Sequence, residues 1–203
     1  MNHSRSERKV QRLTRSGGPT AFVVHIRSDF KIFIMHPASL SIETLLKSCQ
    51  VRRQRRSGPG GQHRNKVETG IFIEHTPSGI RAEATEGRSQ AKNQERAVFR
   101  LRIQLALEHR RKFEELDPSV TPSELWKSRI KGGQIKVNSE HTDFPTLLAE
   151  ALDVLAFYGW EPREAKESLG CSATQLVKLL KKEPRAFACL NRNRTLLGLS
   201  ALR

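Results

Sequence analysis

Where the chain reads Arg52-Arg53-Gln54-Arg55-Arg56-Ser57-Gly58-Pro59-Gly60-Gly61-Gln62-His63-Arg64-Asn65-Lys66, no regular element can run through. Three glycines and a proline in the four positions from Gly58 to Gly61 exclude the interior of a helix or a strand. Glycine reaches positive φ without a Cβ clash and lets its backbone come close to a ligand, while proline fixes φ and restricts the loop's excursions. The expected product is a tip whose exposed groups are mostly backbone amides. Arg52, Arg53, Arg55, Arg56, Arg64 and Lys66 surround it, a cation density suited to a polyphosphate.

The charge is not spread evenly. The 203 residues carry a formal net charge of +15. From Gln50 to Lys112 there are 15 Lys or Arg against 6 Asp or Glu, a net of +9 that leaves +6 for all the rest. A surface built only for solubility mixes the signs more evenly. The segment around the loop is therefore expected to meet a polyanion: nucleic acid, or less commonly an acidic membrane surface. No apolar run approaches the roughly 18 residues that a membrane span needs. Cys49, Cys171 and Cys189 are odd in number and far apart. They give neither a metal-ligand spacing nor a disulfide framework, and read as reduced thiols of a cytosol-like compartment, packed as small hydrophobes.

Residues 1–34 begin as a basic, polar extension (Arg5, Arg8, Lys9, Arg12, Arg15) that cannot bury enough apolar surface to order itself. The mix of Arg, Ser and apolar residues fits a mitochondrial transit peptide, and equally a start placed too early, with Met35 as the functional first residue. Residues 38–48 predict a short helix capped by Ser39 or Ser41, and 49–56 a strand carrying arginines. Residues 62–68 suit a short helix after the loop. Residues 70–76 and 79–85 predict an antiparallel hairpin about Pro77-Ser78-Gly79, with Ile80, Ala82 and Ala84 at period two. Ser89 caps a long helix over 90–112, whose Ala97, Leu101 and Leu105 form the apolar stripe and whose Lys92, Arg96, Arg100 and Arg102 are expected on the opposite, exposed side. The fold class is α+β: a small mixed or antiparallel sheet with a long packed helix over residues 35–112. Residues 113–142 read as a connector and 143–203 as a small all-α domain. A second Gly-Gly-Gln, Gly132-Gly133-Gln134, lies in the connector. It lacks the preceding proline and the following basic run, and is read as a turn. In the C-terminal part, helices over 162–169 and from Ala173, joined through Gly170-Cys171-Ser172, suit either plain bundle packing or a helix-turn-helix. Arg163, Lys178, Lys181, Lys182, Arg185, Arg192 and Arg194 would suit a phosphate backbone in both cases.

The Gly60-Gly61-Gln62 loop, within Ser57 to Lys66, resembles the catalytic loop of class I peptide chain release factors. Thr76-Pro77-Ser78-Gly79-Ile80 is similar to that family's hairpin turn, and Arg88-Ser89-Gln90 with Asn93 to the start of its long helix. The likeness covers residues 45–112, about a third of the chain. It implies a loop that enters the peptidyl-transferase centre of the large ribosomal subunit and promotes hydrolysis of the ester between peptide and tRNA. Gly60, Gly61 and Gln62 are then the catalytic residues, and no metal or other cofactor is implied. Arg55, Arg56, His63, Arg64, Lys66, Arg88 and Gln90 would face ribosomal RNA and the tRNA acceptor end. Any single arginine could instead pair with Glu68, Glu74 or Glu86. The residues before the loop are too few for a codon-reading domain, and the resemblance then implies codon-independent hydrolysis by a monomer that rescues stalled ribosomes, or acts on peptidyl-tRNA left on a split large subunit, without membrane association. The ending Leu199-Ser200-Ala201-Leu202-Arg203 is not a basic tail of the kind small rescue factors often carry. Such a protein is expected in the cytoplasm, or alternatively in the mitochondrial matrix. Two readings compete: a non-catalytic protein that binds ribosomal RNA or tRNA as a ribosome-associated or assembly factor, and a DNA-binding regulator working through the C-terminal helices.

Overall fold

The computed structural model describes residues 35–55, 68–111 and 122–203. All of them lie in one compact unit, Ile32–Arg203. The expectations for residues 1–34 and for all but the last residue of a helix over 62–68 fall outside the described residues; that last residue, Glu68, is not helical.

A 3-10 turn, Pro37–Ser39, precedes helix α1 (Ile42–Lys47), which Ser41 caps by accepting a hydrogen bond from Thr44 N at 3.2 Å. Strands β1 (Cys49–Gln54), β2 (Gly70–His75) and β3 (Ile80–Ala84) follow in the order β1-β2-β3, antiparallel throughout. The register pairs Cys49 with His75, Gln54 with Gly70 and Ile71 with Ala84. Between β2 and β3 the chain turns within four residues. Gly79, at φ 69°, supplies the left-handed position, and the His75 carbonyl accepts from Gly79 N at 2.8 Å.

Period two sends Ile71, Ile73 and His75 to one face, where all three are buried, and leaves Phe72 and Glu74 half-buried on the other. Helix α2 (Gln90–Glu108) covers the first face with Ala97, Val98, Leu101 and Leu105, as its i, i+4 pattern requires. Val51 and Arg53 share that face by register yet are exposed, so the helix's cover stops short of edge strand β1.

Two differences from the sequence reading concern α2. It ends at Glu108, because His109 turns extended and the Arg110 guanidinium closes the helix, donating to the Ala106 and Leu107 carbonyls at 2.6 and 2.7 Å. Arg102, expected on an exposed side, is 9% exposed. The side opposite the sheet is not solvent: helix α4 (Phe144–Phe157) packs there, over Ile103 and Ala106. Arg102 becomes a buried clamp that donates to the Ala38 carbonyl at 2.9 Å, the Thr142 carbonyl at 2.8 Å and Thr146 Oγ1 at 2.8 Å.

The stretch read as a connector is structured within 122–142. Ser123 caps helix α3 (Glu124–Arg129), and Trp126 is fully buried, with its indole N–H donating to the Leu169 carbonyl at 2.7 Å. Strands β4 (Ile130–Lys131) and β5 (Gln134–Ile135) form a hairpin whose two-residue turn is Gly132-Gly133, at φ 57° and 71°. The second Gly-Gly-Gln is therefore a turn, as the sequence indicates. Helices α5 (Pro162–Ser168), α6 (Ala173–Lys181) and α7 (Pro184–Leu196) complete a bundle around α4, with Ser172 Oγ accepting from Gln175 N at the head of α6. Leu176, Leu179, Leu180 and Leu190 join the same continuous core as the sheet.

Candidate functional site

Four chain ends meet at one end of the sheet. By the antiparallel order, the end of β1, the start of β2, the end of β3 and the start of α2 all lie there. The segment from Arg56 to Val67 is carried between the first two. Gly60, Gly61, Gln62, Arg56, His63, Arg64 and Lys66 therefore lie outside the described residues, whereas its root is described in atomic detail.

The root is closed by the Gln54–Gly70 pair and, one step further out, by Arg55 Nε and Glu68 Oε1 at 3.3 Å. Gly70 is a glycine for packing reasons. A Cβ there would stand 2.9 Å from the Gln54 carbonyl oxygen and 3.2 Å from Thr85 Cγ2, so any side chain would force β1 away from β2. The root is then tied to α2 by one fully buried amide, Asn93. Its Nδ2 donates to the Thr69 carbonyl at 2.7 Å and to the Gly87 carbonyl at 3.0 Å, and its Oδ1 accepts from Gly87 N at 2.9 Å. Gly87 lies so close that an added Cβ would meet Asn93 Oδ1 at 2.5 Å. Three segments, β2's entry, the link after β3 and the first turn of α2, are thus held by a single side chain with its hydrogen-bonding capacity nearly used.

Glu86 organises the next layer. It accepts from Arg100 at 2.7 Å and from Thr85 N at 2.9 Å, with Arg96 at 3.7 Å. Its own backbone amide, then Arg100 and the Thr85 amide, hold its carboxyl down at about 2, against an ordinary 4.5. Of the described arginines, Arg96 and Arg100 are thus engaged by Glu86 and Arg55 by Glu68 at this end, while Arg81 meets Glu74 at 2.8 Å towards the other end of the sheet. Arg88 is exposed and Gln90 half-buried at the helix start beside the root, so the structure brings Arg55, Arg88 and Gln90 to the same end. Arg52, Phe72 and Glu83 sit abreast on the uncovered sheet face, in a shallow groove of about 640 Å³ that runs back from the root.

This end presents no conventional side-chain catalyst among the described residues. Among the described residues no cluster of His, Cys, Asp and Glu could hold a metal ion. Burial pushes the thiols of Cys49 and Cys171 up to about 11, far from nucleophilic. His75, whose pKa is lowered by burial and then by nearby His109, hydrogen-bonds Ser78 Oγ at 2.7 Å, on the far end of the sheet.

Sequence reasoning singled out Asn93 only as part of a likeness, and passed over Gly70, Glu86 and Gly87 as site-forming residues. The signal for Asn93 was present: it stands one i, i+4 step before Ala97, Leu101 and Leu105, an amide in a register of core positions. A model of the RF-1 domain matches residues 39–143, a span that contains the loop, its root and α2.

Proposed function

The chain belongs to the RF-1 domain family, the catalytic domain of class I release factors that carries the Gly-Gly-Gln motif, and on that premise we propose that it is a ribosome-dependent, codon-independent peptidyl-tRNA hydrolase. The observation that carries this reading is the pairing of the Gly60-Gly61-Gln62 sequence with a braced root. The motif hangs from an edge hairpin that Gly70, Asn93 and Gly87 lock to the long helix. A loop that must hold one backbone amide in place against a reacting ester needs such an anchor, because geometric error at its base is carried to its tip.

In this mechanism water attacks the ester carbonyl carbon, the bond to the tRNA 3′ oxygen breaks, and the proton passes to that oxygen. Negative charge grows on oxygen in the transition state. The Gln62 backbone N–H is the donor aimed at it, a contribution of roughly 3–4 kcal/mol when one such donor is lost. Gly60 and Gly61 permit the required backbone shape, and the Gln62 side chain shapes a slot that admits water. His63 is an RNA-facing residue rather than a base. Arg56, Arg64 and Lys66 grip phosphates of the peptidyl-transferase centre and the tRNA acceptor end, contacts that give affinity without sequence preference. Arg88 and Gln90 extend this grip from the helix start.

The test is release of labelled peptide from ribosomes holding P-site peptidyl-tRNA and an empty A site, with and without mRNA beyond the P site. Release by the native sequence without any codon, reduced at least ~10²-fold by Gly61→Ala, is the expected result. Undiminished release by Gly61→Ala rules out catalysis by the loop, and a requirement for a stop codon rules out the codon-independent reading.

A further inference from the structure

Far along the chain from the Gly60-Gly61-Gln62 loop, the β4–β5 hairpin leans against α6 and leaves a groove of about 510 Å³ between them. Its charged lining is all cationic: Arg129, Lys136, Lys178 and Lys182. Of the nearby carboxylates, Asp143 is engaged with Arg129, Glu124 with Lys127 and Glu183 with Arg185, while the exposed Glu140 stands just outside the lining. Lys131, at the mouth of the glycine turn, adds a further exposed cation on the hairpin side.

The groove is built rather than incidental. Ile135, Val137 and Leu179 are buried beneath it, so its floor belongs to the core. Lys182 Nζ donates to the Val137 carbonyl and fixes the hairpin's trailing strand to the end of α6. Lys178 and Lys182 stand four residues apart on one helix face, about 5–6 Å between Cβ atoms. Lys136 and Arg129 line the hairpin side of the gap, and Lys131 pairs in register with the lining residue Gln134. Two rows of ammonium groups flanking an apolar-floored channel suit a phosphodiester strand, since lysine acts as a point charge on phosphate and demands no base identity.

We propose that this groove is a second RNA-docking surface, taking the phosphate backbone of an A-form RNA duplex. The choice of RNA rests on the ribosomal reading above; the groove's cations alone fit any polyphosphate backbone. Duplex RNA is held mainly through its backbone and shape, which is what a groove with Gln134, Asn138 and Gln175 as its uncharged polar groups can offer.

The test measures binding of the full chain to a labelled ~20-base-pair RNA hairpin of arbitrary sequence between about 50 and 200 mM salt, where phosphate contacts dominate the salt dependence. The variant Lys131→Gln/Lys136→Gln/Lys178→Gln removes two groove cations and the exposed one beside them, and spares Lys182, whose bond to Val137 supports the fold. Lys47→Gln/Lys166→Gln/Arg192→Gln removes the same charge elsewhere. With a slope of about −0.9 per phosphate contact, the groove variant should bind with a log–log salt slope shallower by roughly 2 to 3, and the control should keep most of the native slope. Equal slopes for the two variants overturn the proposal, as does equal affinity for a DNA duplex of the same sequence. Because binding is read away from the ribosome, a chain that releases no peptide still tests the groove. An inert groove leaves hydrolysis by the loop untouched.

Discussion

Asn93 is the residue whose loss would reach furthest for its size. Replacing it with alanine strands two carbonyls and one amide, Thr69 O, Gly87 O and Gly87 N, at a fully buried position. Unsatisfied buried groups cost about 1–3 kcal/mol each before water or relaxation intervenes. Asn93→Ala should therefore lower the free energy of urea unfolding by roughly 2–4 kcal/mol and slow peptide release further than lost stability explains. Asn93→Asp should be no better, because it keeps the acceptor for Gly87 N and sets a carboxylate against two carbonyls. His36 makes a prediction in pH. Its Nδ1 accepts from Ala38 N at 3.0 Å and its Nε2–H donates to the His109 carbonyl at 3.1 Å, so the buried ring is neutral. Burial pushes its pKa down from 6.5 to about 4. Between those values the unfolded chain takes up a proton that the folded chain refuses, so stability falls as pH drops from about 6.5 towards 4, by at most about 3 kcal/mol. His75, lowered by burial and by nearby His109, acts in the same direction. Glu86 does not share the upper part of this window: its stabilisation is lost only as pH falls below 4.5 towards 2. Urea unfolding at a series of pH values should show the loss above pH 4.5, and His36→Gln should remove most of it.

At the scale of elements, the two Gly-Gly-Gln copies make a paired experiment. Gly133 sits at φ 71° in a two-residue hairpin turn with open space where a Cβ would go, so Gly133→Ala costs only the left-handed conformation, about 1–2 kcal/mol. It should shift the unfolding midpoint slightly and leave release per folded molecule unchanged, whereas Gly61→Ala should do the reverse. The turn at the second copy was legible beforehand, because it lacks the preceding proline and the following basic run that mark the first. The helix starts at Ser41, Ser89 and Ser172 were equally legible, because an N-cap is a local signal and each hydroxyl meets the amide three residues on. So was the hairpin at Gly79. What local pattern does not contain is what covers a helix's second face. Arg102 reads as a surface cation because its neighbours Lys92, Arg96 and Arg100 are exposed, and only the approach of α4 makes it a buried clamp. Residues 122–142 read as connector for the same reason: Trp126 is one apolar residue among polar ones until Leu169, 43 residues on, supplies its carbonyl. The closing of the loop's root by Gly70, Gly87 and Asn93 joins residues 24 apart across three elements, and no single stretch announces it.

At the scale of the whole molecule, the family match ends at residue 143 but the core does not. Helix α4 buries α2's second face, Thr146 receives Arg102 at 2.8 Å, and Asp153, buried without access to solvent, is met by Arg111 at 2.7 Å and Arg110 at 3.4 Å from the end of α2. Removing everything after Asp143 would uncover Ile103, Ala106 and Trp126 and would leave Arg110 and Arg111 without their carboxylate. A buried charge network is costly to break by halves, about 3–5 kcal/mol for one pair, and the lost apolar cover adds to it. The fragment 35–143 should therefore show the emission of a solvent-exposed Trp126 and no cooperative urea transition. The full chain should unfold in one step, with fluorescence and far-ultraviolet circular dichroism coinciding. A fragment that melts cooperatively near the full chain's midpoint would mean that the catalytic half stands by itself and the helical bundle is an appendage. On the structure's terms it is the opposite: the bundle is the back wall of the domain that carries the loop. The α6 groove and the root at Asn93 are then parts of one continuous core, and a contact in the groove adds affinity for the particle that the loop must reach. Groove variants that weaken RNA binding should accordingly lower release at limiting protein concentration and leave the saturated rate unchanged.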